Sequence, residues 1–403
     1  MGNKILVIPN GDVLAHTSRA LEIAKVLREL CFEVLFASRG RYIRIIRDCG
    51  FETIPIDMES AEQILKSCRK GQVYWNSYSM LKGYINDDLE LFKAVKPCLV
   101  VGDLKLSLST SCEVAGIPYV SIVNAAWTNY YSIRIRAPEH HWATRFSLPA
   151  IANVLAPYVR QVILKIGHLP YAKIRRELKL EPRSNIFDVW RGDINILPDI
   201  PEFAPTHGLP GNFHYVGPIT WEMNSDKSDW LRTLDSDSPT IYFTMGSTGD
   251  PRFFECAFDV FGNSKYQCII TTGGKASFKQ YPSNFFVSDY APGDKIMQIS
   301  SVVVCHGGHG TIYQAMTFGV PMIGIPVIHD QEFNMQRVED LGIGIQLSER
   351  RFKPKHLQQA VERVLSDHSY KMNVRKYQVI LKNYHGASSA AKIIASAATG
   401  HGI

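Results

Sequence analysis

SVVVCHGGHGTIYQAM, Ser301 to Met316, opens on the apolar β-branched run Val302-Val303-Val304, breaks at Gly307 and Gly308, and resumes as a helical pattern from Thr311. A strand that turns through glycines into a helix start leaves backbone N–H groups unpaired and points the positive end of the helix dipole outward. Such a turn suits an anion. His306 and His309 sit inside the break. The fold then depends on whether this strand–turn–helix unit recurs along the chain.

It recurs in both halves. KILVIP (4–9), FEVLFAS (32–38), ETIPI (52–56), CLVVGD (98–103) and IPYVSIV (117–123) read as strands. SRALEIAKVLREL (18–30), after a cap at Thr17 or Ser18, and DDLELFKAV (87–95) read as helices. Near-continuous apolar strands between helices predict parallel sheets covered on both faces. From Asp199 to Trp221 four prolines and three glycines predict an irregular connection. Beyond it PTIYFTMG (239–246), QCIITTGG (267–274), NFFVSDY (284–290), SVVVCHGG (301–308) and VPMIGIP (320–326) restart the alternation. The expectation is an α/β protein of two Rossmann-like domains facing a cleft, with ligands beyond the carboxyl ends of the strands. The domains are expected at 1–215 and 216–385, followed by a terminal helix at 386–403.

At 403 residues the chain exceeds one ordinary core, and its 45% hydrophobic and 20% charged content is that of a globular protein. It contains no run of 18 apolar residues, and its first residues read as a strand rather than a leader, so a cytoplasmic location is expected. The eight cysteines form no CxxC pair and lie mostly in apolar segments, which predicts reduced thiols rather than disulfides or zinc. The net charge of +6 is concentrated between Arg134 and Arg191, where 11 Lys or Arg face four acids. A solvated helix face explains that surplus, and so does peripheral contact with an anionic membrane. No nucleic-acid partner is expected.

Other signatures are absent. Gly274-Lys275 lacks the glycine that a P-loop needs five residues earlier, where Ile269 stands, and no GxGxxG follows the first strand. His306 and His309 have no third ligand at usual spacing, so no metal is expected. What remains is an ordered series. His306, Gly308, Gly310 and Thr311 suit a diphosphate, with Ser247 at the end of another strand. Tyr290, ending a third, offers a ring for a base. Asp330 and Gln331 suit sugar hydroxyls. Taken alone, Tyr290 is equally a core-edge aromatic and Asp330 a helix cap.

HGGHGTIYQAMTFGVPMIGIPVIHDQEFNMQRVEDLG resembles the nucleotide-sugar signature of the inverting, UDP-sugar-using glycosyltransferases of the GT-B fold, here of the bacterial natural-product type. Thr311 stands five residues after His306, and Asp330 and Gln331 stand 24 and 25 after it, as in that family. The resemblance extends over essentially the whole chain. It implies that His306, Gly310 and Thr311 hold the diphosphate, that Tyr290 stacks on the base with Ala291 reading its edge, and that Asp330 and Gln331 hold the sugar. It also implies that the terminal helix packs back on the first domain. Two residues depart from the pattern. Gly293 replaces a frequent Gln, and Gln314 stands at the ribose position where plant relatives carry Glu. The carrier, UDP or dTDP, is left open, as are the acceptor and the oligomeric state.

An inverting transfer needs a base for the acceptor's proton. The family places a histidine after its first strand, usually within Gly-His-x-x-Pro. This chain reads Ala15-His16-Thr17-Ser18-Arg19, keeping the histidine and altering its flanks. Asp103 ends the strand CLVVGD, where a carboxylate fixes the tautomer of His16 and stabilises its imidazolium. Asp12 is the alternative for either role. The acceptor pocket is expected from aromatics of the first half, among them Trp75, Tyr78, Trp127 and Trp142. The expected reaction moves a hexose from a UDP- or dTDP-sugar, the co-substrate, to a hydroxyl of a small aromatic or hydrophobic acceptor, without cofactor or metal. A lipid acceptor at a membrane surface is the alternative, and a nucleotide-sugar epimerase a more distant one.

Overall fold

The computed structural model describes residues 3–60, 62–64, 66, 76–139, 149–221, 234–235, 238–246 and 249–400. They divide into two compact units, Met1–Arg134 with Asn153–Trp221 and Tyr384–Ile403, and Ile135–Ala152 with Glu222–Asn383. The segment 135–152, grouped with the first domain in the sequence, thus counts with the second.

Among the described residues the first unit carries β1 (Lys4–Pro9), β2 (Glu33–Ala37), β3 (Thr53–Ile54), β4 (Leu99–Asp103), β5 (Tyr119–Ile122), β6 (Ile194–Leu197) and β7 (Phe213–Tyr215), in the order β3-β2-β1-β4-β5-β6-β7. The second carries β8 (Thr240–Thr244), β9 (Gln267–Thr271), β10 (Phe285–Ser288), β11 (Val302–Cys305), β12 (Met322–Gly324) and β13 (Gly344–Gln346), in the order β10-β9-β8-β11-β12-β13. All these pairings are parallel. The helices are α1 (Leu14–Glu29), α2 (Ile43–Asp48), α3 (Tyr78–Val95), α4 (Leu108–Ala115), α5 (Pro149–Glu177), α6 (Ile186–Trp190), α7 (Arg252–Phe261), α8 (Gly293–Ile299), α9 (His309–Thr317), α10 (His329–Asp340), α11 (Pro354–Ser366), α12 (His368–Leu381) and α13 (Gly386–Thr399).

The apolar strands are covered on both faces. Ile5 and Val7 pack with Leu21 and Ala24 of α1, while Leu6 and Ile8 point the other way, onto Phe92 of α3 and Leu108 of α4. In the second unit Ile241, Phe243, Val302 and Val304 pack with Phe254 of α7 and Val361 of α11. Ala390, Ala391 and Ile394 of α13 are fully buried in the core that holds α1.

Three readings are corrected. The stretch 199–221 is not wholly irregular, since β7 lies within it and extends the first sheet. Helix α1 starts at Leu14, so His16 lies in its first turn. Thr17 and Ser18 do not cap it, because their hydroxyls donate back to Val13 O (3.0 Å) and Ala15 O (3.4 Å). Helix α9 starts at His309, two residues before the expected Thr311.

Strand order reverses between β1 and β4 in one unit and between β8 and β11 in the other. Ligands of open α/β sheets bind at such switch points, beyond the strands' carboxyl ends. Register puts Pro9 opposite Asp103, and Thr244 opposite Cys305. His16 and Asp103 therefore belong to the first switch point, and Gly246 and His306 to the second.

Candidate functional site

In the second unit β11 ends at Cys305 and the chain turns through Gly307, at φ +83°, into α9. Gly308 is the N-cap and supplies no side chain, and the first amide bonded within the helix is Ile312 N–H, to Gly308 O at 3.1 Å. The amides before it emerge from the helix end. The His306 ring beside them is 6% exposed and wedged between glycines. A Cβ on Gly246 would lie 2.4 Å from its Cε1, and one on Gly308 2.3 Å from its Nε2. Burial, and then the charge of Lys275, push the His306 pKa down to about 4. The ring is neutral at physiological pH and offers one N–H. Its buried Nδ1 has no hydrogen-bond partner among the described residues.

Lys275 follows β9 and donates to Gly249 O at 3.1 Å. Sequence reading set it aside with the failed P-loop, yet its charge reaches the His306 ring. Asn334 of α10, also missed, donates to Gly307 O at 3.1 Å and so holds the turn. Among the described residues an added methyl at Gly310 would meet nothing within 4 Å, so this side of the first turn is open. Asp330 stands half-buried in the first turn of α10. Gln331 is 1% exposed, and its Oε1 accepts from Val327 N–H at 2.9 Å, pinning the loop that presents Asp330.

Tyr290 is 41% exposed and donates to Gly273 O at 3.1 Å, so its ring is tethered beside the loop after β9. Half-buried Ala291 follows it. The two departures from the family pattern prove to be one feature. Gln314 donates to Asp294 Oδ1 at 2.7 Å, and a Cβ at Gly293 would stand 2.7 Å from its Nε2. Gly293 makes the room that Gln314 occupies.

In the first unit His16 Nδ1 lies 2.6 Å from Asp103 Oδ1, and Asp103 is 1% exposed. Arg19, three residues along α1, was not singled out in the sequence, yet it completes the group. Its Nε and Nη2 donate to Asp103, Nη2 at 2.6 Å, and Nη1 donates to Asn124 Oδ1 at 2.8 Å. Arg19 Nη2 and His16 Nδ1, 3.0 Å apart, converge on the same carboxylate oxygen. Burial alone would raise the pKa of Asp103, but the Arg19 charge, and after it His16, outweigh burial and hold it below its ordinary value. With Nδ1–H donating to the carboxylate, Nε2 is left able to accept a proton. Asp12 accepts from Arg41 N–H at 3.1 Å.

Residues 259–381 match the family model described as erythromycin biosynthesis protein CIII-like, C-terminal domain. Over 377 residues, 93% of this chain and 87% of the relative, the protein is 33% identical to a PGL/p-HBAD biosynthesis glycosyltransferase of Mycobacterium tuberculosis. Over 370 residues, 91% and 82%, it is 32% identical to a PGL/p-HBAD biosynthesis rhamnosyltransferase of Mycobacterium bovis. The chain belongs to the bacterial natural-product glycosyltransferases of the GT-B fold.

The fold of this glycosyltransferase is also that of the Streptomyces sp. SF2575 enzyme SsfS6, solved with thymidine diphosphate. The TM-score is 0.65 at 19% identity, covering 97% of this chain and 99% of that one. In the first unit, the glycosyltransferase puts Trp127 in a short 3-10 turn, its ring 5.4 Å from that of Trp190, lining a small cavity with Tyr130, Phe187 and Phe213. Tyr78 is tied up between helices, its hydroxyl donating to Glu177 at 2.5 Å beneath Lys173. Trp75, Trp142 and Ser247 lie outside the described residues.

Proposed function

We propose that this glycosyltransferase transfers a hexose, with inversion, from a UDP- or dTDP-sugar to a hydroxyl of a hydrophobic or aromatic acceptor. As the acceptor oxygen bonds to the anomeric carbon, its proton passes to His16 Nε2, and the bond from that carbon to the diphosphate oxygen breaks. Asp103 orients the imidazole and stabilises its charge; Arg19 holds Asp103. The diphosphate rests on the amides of Gly308, Gly310 and Thr311, the His306 N–H and the Lys275 charge. These fixed dipoles neutralise the leaving group, so the transfer is written without a metal. Tyr290 and Ala291 take the base, Gln314 the ribose and Asp330 the sugar, with Gln331, expected from the sequence to share that contact, buried behind it and fixing the loop through Val327 N–H.

The observation that carries this reading is the neutral His306 ring wedged by Gly246 and Gly308 against an α9 end that no side chain caps. Titration calorimetry of UDP, dTDP, GDP and ADP against wild type and His306→Ala tests it. Pyrimidine diphosphates alone should bind. Loss of one N–H donor to an anion should weaken them about 10- to 150-fold, the equivalent of about 1.5–3 kcal/mol. Binding of no nucleotide, or equal binding to both proteins, overturns the donor site.

A lipid acceptor is a second reading, supported by the two relatives whose names place them in PGL/p-HBAD biosynthesis. Contact of the basic segment 134–191 with a membrane goes with it. The thiols described are unpaired, in keeping with a cytoplasmic location.

A further inference from the structure

Helix α5 exposes the wrong kind of face. Ile151, Leu155, Tyr158, Val162, Ile166 and Leu169 are 52%, 50%, 71%, 56%, 39% and 62% exposed. Their steps of three and four residues align them in one stripe about 27 Å long. The helix is already buried on its other side, where Leu164, Tyr171 and Ile174 pack with Leu81 and Ile85. The stripe is therefore a second apolar face.

The charges around it are mainly positive. Lys165 is exposed within the stripe, and Lys173, its ammonium 4.0 Å from the Tyr78 ring centre, and Arg176 are exposed beyond its carboxyl end on the same face. The one acid there, Glu177, accepts from Tyr78 and pairs with Lys82 at 3.7 Å. Other cations of the basic segment are turned to carboxylates, Arg175 and Arg183 to Glu113 and Arg136 to Glu339 and Asp340. Among the described residues no helix is long and apolar enough to cross a membrane.

We infer that α5 is an interfacial helix that lies on an anionic lipid surface, its stripe among the acyl chains and its three cations at the headgroups. The inference does not depend on which sugar or acceptor the enzyme uses.

The test is co-sedimentation of the full chain with vesicles of phosphatidylcholine, alone or mixed with phosphatidylglycerol. The protein should pellet with the anionic vesicles, less as salt rises, and far less with the neutral ones. Leu155→Glu with Leu169→Glu should weaken binding at least about tenfold. Lys165→Gln, Lys173→Gln and Arg176→Gln together should weaken it several-fold and flatten the salt dependence. The substituted side chains are exposed, and an unchanged circular dichroism spectrum and thermal melting midpoint report that each variant is folded. Wild type remaining in the supernatant with both vesicles overturns the inference, as do variants that pellet like wild type. A concentration-dependent dimer that Leu155→Glu with Leu169→Glu dissolves would assign the stripe to a second copy instead.

Discussion

Replacing Arg19 by Met removes a charge while keeping an unbranched stem of similar length. Arg19 donates twice to Asp103 and once to Asn124, and its side chain is 7% exposed against 1% for Asp103. Breaking a buried pair from one side leaves an uncompensated charge and costs about 3–5 kcal/mol. For a unit of this size each kcal/mol moves the midpoint by about 2–4 °C, so the variant should melt roughly 6–20 °C lower. The double variant Arg19→Met, Asp103→Leu should regain much of this loss, because no lone carboxylate remains. The pH dependence has a definite sign. Asp103 is held below its ordinary value, so its contribution is present above the unfolded carboxylate value of about 3.9 and disappears as pH falls through the lower folded one. The gap between wild type and Arg19→Met should therefore be widest near neutrality and close in acid. Scanning calorimetry of the four proteins of this cycle reads all of it. A variant melting within about 2 °C of wild type at neutral pH, or costs that simply add, would refute the assignment of Arg19 as the residue that holds Asp103.

Gly308→Ala should weaken UDP or dTDP binding by about tenfold or more in calorimetry, because the new methyl meets His306 Nε2 at 2.3 Å and Gly246 blocks the ring's retreat. Glu59→Gln should stabilise the protein at pH 8 and not at pH 4, as read by thermal melting. Burial raises the Glu59 carboxyl, although Lys105 opposes this; stability is lost as pH rises through the folded value, and the amide removes that loss.

The larger plan was legible because its signals are strong. Val302–Cys305 is wholly buried on two faces, so it reads as an apolar run, and the glycine break after it marks where the strand turns into α9. What escaped was weak or non-local. The strands β7 and β13 are three residues each, too short to show a period, and gain their identity only from the neighbours they extend. Helix α1 begins after Val13, which lacks a capping side chain, and so the nearest hydroxyls misplaced its start. Arg19 looked like one more charge on an amphipathic helix. Its partners lie 84 and 105 residues away, and only the β1–β4 pairing brings Asp103 to it. The Gln314–Asp294 bond was hidden in the same way, since Gly293 and Gln314 seemed two separate departures until the space one leaves was found filled by the other.

Topology puts a histidine at each switch point, but their electrostatic surroundings differ. At the first, a carboxylate accepts from the imidazole and shares a guanidinium, so a proton gained by His16 is met by a fixed negative group. At the second, burial and the Lys275 charge disfavour a second proton on the ring, and among the described residues no carboxylate pairs with it. A group with a pKa of about 4 is a poor proton acceptor near neutrality, yet its single N–H remains a good donor to an anion. The backbone around it points the same way, with two glycines closing on the ring and a helix end opening in front of it. Exchanging the roles would require His306 to hold a proton that its surroundings oppose, and His16 to bind an anion beside the Asp103 carboxylate. The same α/β switch point, used twice, thus fits a base in one unit and an anion cradle in the other.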